Sequence, residues 1–385
     1  MNVPFSSTGR SLWIFGLLVV LSGVFVGCDG DYRPRAIGKE GEVTVVMDSS
    51  HWTGPVGEAF RENVTPWIET LPQPERAFEL RHVELRDERV YESIQDLKNV
   101  VIAAPLSDST NEANFLRRRL SEDARKAIED GQSALVDKPN LWRRSQRVFF
   151  ATAATPEALT GVLEEQGQEM RSSFEDITLK RMQRDMYDDA RQFSVEDSLM
   201  QRHNFAVNVQ HDFRTAIDTT TETEGFVWLR RILAETRREF FIYYKENASP
   251  SELTPEWVYA THDSLTREHF RGNVSGFVRI DYRRTLNTRE SNPLDRYGYK
   301  TRGLWHFVEP AEEEGDFLPL AGGGPFLAYA FYDRPSDRIY LLHGSAFAPD
   351  YDKLRFIRQM EVMANTFRTK AEDTGADSSA VASTK

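Results

Sequence analysis

The residues of this chain with the widest chemical reach are its eight histidines, its many carboxylates and one glycine triplet. The histidines are His51, His82, His203, His211, His262, His269, His306 and His343, and no H-E-x-x-H pairs any two of them on a helix face for zinc. His262 and His269 lie seven positions apart in an expected helix, beside Asp263 and Glu268. Two helical turns hold their Cα atoms about 10 Å apart, too far for one ion, and both read as surface histidines. Serine hydrolysis would call for a G-x-S-x-G elbow, and none occurs. His343-Gly344-Ser345 falls in an expected strand, where neighbouring side chains face opposite ways and form no direct dyad; only further partners in space, Asp333 among them, could build one. Gly322-Gly323-Gly324-Pro325 is followed by neither Lys-Ser/Thr nor a helix, so it reads as a tight turn and not as a phosphate cradle. No particular carboxylate pair stands out for glycoside hydrolysis. The sequence therefore assigns no catalytic residue, no metal ligand and no cofactor.

Aromatic residues are concentrated in the second half, with Trp228, Tyr243, Trp305, Phe326 and Tyr329 among them. Adjacent aromatics such as Phe240-Phe241 and Tyr243-Tyr244 must point to opposite faces of a strand. Two readings follow. Either helices cover both faces, or some of these rings form an exposed groove for a partner or a glycan.

One thiol remains to be placed. Cys28 is the single cysteine and follows residues 11–27 (SLWIFGLLVVLSGVFVG), an uncharged run preceded by Arg10. With Gly27 before the cysteine, the layout resembles a bacterial lipoprotein signal and its lipobox, with Phe25 in place of the usual Leu. On this reading cleavage falls between Gly27 and Cys28, and Cys28 carries the lipid. The run is short for a spanning helix, which takes about 20 apolar residues. Several acyl chains on one N-terminus anchor stably, where a single chain holds only marginally. Residues 29–40 (DGDYRPRAIGKE) then serve as a polar tether. With Cys28 lipidated, no thiol is left for a disulfide or a thiolate metal site.

The totals describe a globular chain of 385 residues, 40% hydrophobic and 11% aromatic, with a net charge of −12. That charge argues against nucleic acid as a partner and against electrostatic attraction to anionic lipid. Basic runs such as Arg117-Arg118-Arg119 are short and read as solvated faces.

The elements that must position these residues follow from periodicity. Strands are expected at 42–48, 78–85, 99–106 and 147–153, with a short addition at 133–137. Helices are expected at 55–68 and at 111–130. The order β-α-β-β-α-β matches a split βαβ, or ferredoxin-like, arrangement. Thr155-Pro156-Glu157 starts a long helix reaching Tyr187, with Leu159, Leu163, Met170, Phe174, Ile177, Met182 and Met186 as an imperfect stripe. Beyond it come strands at 204–212, 226–232, 238–245, 276–283, 300–308, 325–332 and 338–346. Helices are expected at 255–270 and 351–368. Val278, Ile280 and Tyr282 alternate with Arg279, Asp281 and Arg283, as on a sheet with one wet face, which points to antiparallel pairing. The fold class is α+β: a ferredoxin-like half, a long central helix, and an antiparallel sheet with packed helices whose order is similar to the PsbP/Mog1-like pattern.

The segments Gly41–Gly57 (GEVTVVMDSSHWTGPVG), residues 301–308 leading into 322–329 (GGGPFLAY), and residues 348–367 ending RQMEVMANTF resemble an uncharacterised family of Bacteroidota lipoproteins, domain of unknown function 4837. The resemblance implies an envelope lipoprotein and no particular activity. The organisation expected is a signal peptide at 1–27, a tether at 28–41, α+β halves at 42–153 and 203–369 joined by a helical connector at 154–202, and a disordered tail at 370–385. The expected role is a non-catalytic binding or assembly factor on an envelope membrane, the outer one, touching the membrane through its lipid and meeting an envelope protein partner. A hydrolase of an envelope glycan or peptide is the alternative.

Overall fold

Short apolar runs that recur between amphipathic segments build the first half, and a computed structural model describes the result over residues 33–188, 190–271, 276–312 and 316–373. The first half runs β1 (Glu42–Val46), α1 (Ser49–Trp52), α2 (Pro55–Asn63), β2 (Glu79–Val83), α3 (Glu88–Gln95), β3 (Asn99–Pro105), α4 (Asn111–Arg117), α5 (Glu122–Glu129), β4 (Ala134–Pro139) and β5 (Arg147–Ala153). Its sheet has the order β2-β1-β3-β5-β4, with every pair parallel except β4 against β5. The continuous run in β3 is wholly buried. It sends Val101 and Ala103 into one core and Val100, Ile102 and Ala104 into the other, as a strand covered on both faces must.

This parallel sheet overturns the ferredoxin-like expectation, whose sheet would be antiparallel. The reason is α3, which the periodicity reading passed over. It is eight residues long and buries Ile94 alone, so its apolar signal is weak. Its start was nonetheless written in Asp87, whose carboxylate accepts from Val90 N. A helix between β2 and β3 turns a supposed hairpin into a crossover and makes the strands parallel. The expected helix at 111–130 is likewise two helices, because Ser121 caps a new start at α5.

Thr155 caps α6 (Pro156–Tyr187), a single helix of 32 residues and about 48 Å long. Leu159, Leu163, Met170 and Phe174 face the first core as expected. Further along, the buried line passes to Thr178 and Arg181 instead of Ile177 and Met182. Arg181 is buried with its guanidinium on Glu40 (3.0 Å), Asn99 (3.2 Å) and Thr178 (3.0 Å).

The second half comprises α7 (Phe193–His203), β6 (Phe205–Ala206), β7 (Arg214–Thr220), β8 (Glu224–Ile232), β9 (Arg237–Lys245), α8 (Pro255–His269), β10 (Phe277–Ile280), β11 (Asn287–Ser291), β12 (Gly298–Pro310), β13 (Phe317–Asp333), β14 (Arg338–Phe347), α9 (Leu354–Ala364) and β15 (Arg368–Thr369). The strand expected at 204–212 is reduced to the two residues of β6, and α7 precedes it. The large sheet is antiparallel, ordered β10-β12-β13-β14-β9-β8-β7, with β11 pairing β12. One face packs on α9, whose Leu354, Ile357, Met360 and Ala364 form the expected stripe. The other packs on α8 through Val258 and Leu265. Phe240 and Phe241 duly enter opposite cores.

The glycine triplet is not a turn. Gly322, Gly323 and Gly324 lie inside the 17-residue β13. A Cβ on Gly324 would stand 2.0 Å from the Ala346 carbonyl oxygen, so only glycine lets β14 approach there. The pairing with β12 also slips between His306 and Val308, and Gly322 takes φ +105° opposite that irregularity. The described residues from Pro34 onward form one compact unit. Within it the halves meet where Arg358 of α9 pairs with Glu175 of α6 at 2.6 Å and donates to the Ala77 carbonyl at 2.7 Å.

Candidate functional site

A strand places residues i and i+2 on one face, and six strands of the large sheet build a cleft, β13 through Ala321 and Gly322. Trp228 and Arg230 come from β8, Arg237 and Glu239 from β9, Trp305 and Phe307 from β12, and His343, Ser345 and Phe347 from β14. Val278 of β10 and the exit of α8, with His269, Phe270 and Arg271, complete a cavity of about 380 Å³. Among its rings, Trp228 is held on both faces: Phe270 stacks at 4.2 Å and the Arg230 guanidinium lies 4.4 Å away. Its Nε1 donates to Glu239 Oε2 at 2.9 Å, and Arg230 Nε donates to the same oxygen at 2.9 Å. Burial pushes the Glu239 carboxyl up, while Arg230 and Trp228 pull it back.

His343 lies beneath the rings, 2% exposed. It stacks between Phe241 (4.5 Å) and Phe326 (5.5 Å) and meets the His262 ring at 4.8 Å. Burial, reinforced by His262, holds its pKa well below the ordinary histidine value, so the imidazole is neutral. His343 Nδ1 and Trp305 Nε1 are buried without a hydrogen-bond partner. Leaving such groups unpaired costs about 1–3 kcal/mol each, a penalty that a ligand supplying the complementary atoms would remove.

The two helix histidines are not on the surface. Val258, His262 and Leu265 lie on the buried face of α8, at the spacing of its core stripe, so His262 is fully buried. Its Nδ1 lies 3.1 Å from Asp263 Oδ1. Burial alone would raise the Asp263 carboxyl, but His262, the Ile280 amide and the Tyr282 hydroxyl hold it below the usual range. His269 stacks on Phe226 at 4.3 Å.

Catalysis at this cleft would need an oriented nucleophile. Among the described residues no carboxylate hydrogen-bonds His343, and no hydroxyl does so either. Among the same residues no group of three His, Cys, Asp or Glu side chains is placed to hold a metal ion.

Of the five aromatics singled out in the sequence, Trp228 and Trp305 line the cleft and Phe326 lies under it against His343. Tyr243 belongs to the same face but stands apart, its hydroxyl donating to Glu224 at 2.7 Å. Tyr329 is on the opposite face and donates to Glu361 at 3.0 Å. Gly27 and Cys28 lie outside the described residues. Sequence reasoning missed Arg230, Glu239, His343 and Ser345 as companions of the tryptophans. The i, i+2 spacing of Trp228 with Arg230 and of His343 with Ser345 was the available signal, but which strands are neighbours was not.

A second polar cluster sits where an open parallel sheet usually binds ligands, outside the carboxyl ends of the strands at the point where the strand order reverses. Here that point falls between β1 and β3. His51, after β1, pairs directly with Asp108, after β3. Ser49 bonds Glu84, and Ser50 donates to Asp48 at 2.5 Å. These groups satisfy one another, and no hydroxyl among the described residues contacts His51. Among the described residues no helix is long and apolar enough to cross a membrane.

Two family models divide the chain just after α6. Residues 36–187 match a domain of unknown function, DUF8532, and include the Gly41–Gly57 segment. No curated protein matches the chain. The cleft, with all of its strands, falls inside the second match, in which residues 192–366 match the domain of unknown function DUF4837 family.

Proposed function

We propose that this protein is a non-catalytic binding factor, lipidated at Cys28 and held on a bacterial envelope membrane, the outer one, whose aromatic cleft receives a small ligand. The supporting observation is the cleft itself: a preformed cavity of about 380 Å³ walled by Trp228, Trp305 and Phe270, with His343 Nδ1 and Trp305 Nε1 unpaired. Such a site suits a molecule with a flat or apolar body and a polar edge that both donates and accepts. Arg230 is occupied by Glu239, and Arg237 and Arg271 in the lining favour a negative group on that ligand. The second half, an antiparallel sheet with a helix on each face, fits the PsbP/Mog1-like reading, a fold that carries no activity of its own. A cavity of about 380 Å³ suits a small molecule, an envelope protein partner would dock elsewhere on the body, and the acidic net charge speaks against nucleic acid. A hydrolase remains the second reading because His51 and Asp108 meet at the sheet's reversal point.

Native mass spectrometry of the full chain extracted from its membrane tests both parts of the proposal. The expected spectrum carries an acylated N-terminus, absent from Cys28→Ser, and a small-molecule adduct lost in the cleft-filling Ser345→Leu. An adduct-free protein that also fails to bind 1-anilinonaphthalene-8-sulfonate saturably would overturn the cleft reading. Hydrolysis of an envelope glycan or peptide abolished by His51→Gln would favour the alternative.

A further inference from the structure

A second cavity, of about 370 Å³, lies between the two halves and has the opposite character. It is bounded by α6, the segment before β2, the paired strands β11 and β12, and the start of α9. Five cations line it: Arg171, Arg289, Lys300, Arg302 and Arg358. In a chain of net charge −12 such a gathering runs against composition.

The register explains how the cations come together. Asn287 pairs with Arg302 and Arg289 with Lys300 across β11 and β12, so all four side chains share one face. Arg289 and Lys300 are therefore like charges directly opposite each other, an arrangement that destabilises a sheet. Arg171 approaches from α6. Burial pushes Arg171 and Lys300 below their ordinary values; Glu175 opposes it at Arg171 and Glu361 at Lys300, and Arg289 adds a smaller downward push at both.

The carboxylates nearby do not balance this set. Glu175 is taken by Arg358 at 2.6 Å. Glu361, beneath the cavity floor, pairs with both Lys300 and Arg302. Glu69 stands exposed at the rim. Five cations against three acids leave two positive charges in excess. Among the described residues no carboxylate lies within ion-pair distance of Arg171 or Arg289, and Arg302 Nε is buried without a partner. The Arg289 fork, the Arg171 guanidinium, whose hydrogen bond is a long donation to the Asn63 carbonyl at 3.5 Å, and the unpaired Arg302 N–H are gathered around a cavity of about 370 Å³ and match a small oxyanion of charge −2.

We propose that the cavity between the halves is a binding site for a phosphate monoester, held by Arg171, Arg289 and Arg302. A phosphomonoester carries close to two negative charges above pH about 6, which the excess neutralises, and its three terminal oxygens offer each fork two acceptors. The phosphate would belong either to a soluble metabolite or to a lipid headgroup. Because the two halves both contribute to the site, its occupancy also ties α6 to β11 and β12.

Calorimetric titration of the full chain in detergent with glycerol 3-phosphate, and separately with dihexanoyl phosphatidic acid, tests this. One-site binding of at least one is expected, weakened by at least about tenfold in the double variant Arg171→Gln/Arg289→Gln. Those two side chains make no ion pair, so the variant keeps its folded architecture, checked by unchanged circular dichroism and thermal midpoint in the absence of ligand. Arg302→Gln probes the floor as a second variant, read against the same controls. Preference for glycerol 3-phosphate assigns a soluble ligand, and preference for the short-chain lipid assigns a headgroup. Failure of both probes to bind, or binding indifferent to the double variant, overturns the proposal.

Discussion

The two sheets of this protein handle polar groups in opposite ways. At the carboxyl edge of the parallel sheet, Asp48, Ser49, Ser50, His51, Glu84 and Asp108 bond one another close to solvent. In the antiparallel sheet the polar groups go inward. Glu361 is 2% exposed under Lys300 and Arg302, and His343 is 2% exposed with Nδ1 unpaired. A satisfied polar edge near water is inexpensive to keep, whereas a buried unpaired group persists only against a standing penalty. The position that fold analogy favours for a ligand is thus self-contained, and the position it does not favour is where groups are held ready.

That contrast can be broken at several points. The largest effect is expected from Glu361→Gln, which removes a buried counter-charge from the partly exposed Lys300 and Arg302. It should cost about 3–5 kcal/mol in urea unfolding, and a loss under about 1 kcal/mol would mean the pair is solvated. Gly324→Ala comes next, at about 1–3 kcal/mol, because its methyl group meets the Ala346 carbonyl and β14 must shift. Asp108→Asn at the parallel edge should cost only about 1 kcal/mol. A cost equal to that of Glu361→Gln would erase the distinction between the sheets.

The smallest effect at neutral pH belongs to His343→Phe, whose signature is a slope. The folded-state pKa of His343 is depressed below the ordinary 6.5. Below that pH the unfolded chain takes up a proton that the folded chain refuses, so stability falls as pH drops. A phenyl ring at this position cannot titrate, and the thermal midpoint of the variant should fall less between about pH 7 and pH 5 than that of the natural chain. Equal slopes would mean that His343 titrates normally.

Much of this architecture was legible because its signals are local. The Thr155-Pro156-Glu157 start, the run from Asn99 to Pro105, and the α9 stripe each report on a single element, and each element formed. What escaped was either weakly patterned or non-local. The edge strand β7 (RTAIDTT) buries nothing fully, so it has no alternation to read. Helix α7 announces its end through Asn204 in the left-handed region, φ 60°, a conformation more than a residue type. His262 and His343 are 81 positions apart, and nothing local to either foretells that their rings meet at 4.8 Å. The coarse α+β class survived these gaps, but the parallel sheet depended on the two turns of α3 and was lost with them.

The boundary between the two family matches falls just past Tyr187, so α6 travels with the first half. That helix brings Glu175 and Arg171 to the junction, while Arg358 and Arg289 arrive with the second. Either half on its own would leave one member of the Arg358–Glu175 pair without its partner. The long helix is thus more than a spacer, since it carries the first half's share of a charged junction: wherever the first module occurs without the second, positions 171 and 175 should be free to drift, and wherever both occur they should change in step with 289 and 358.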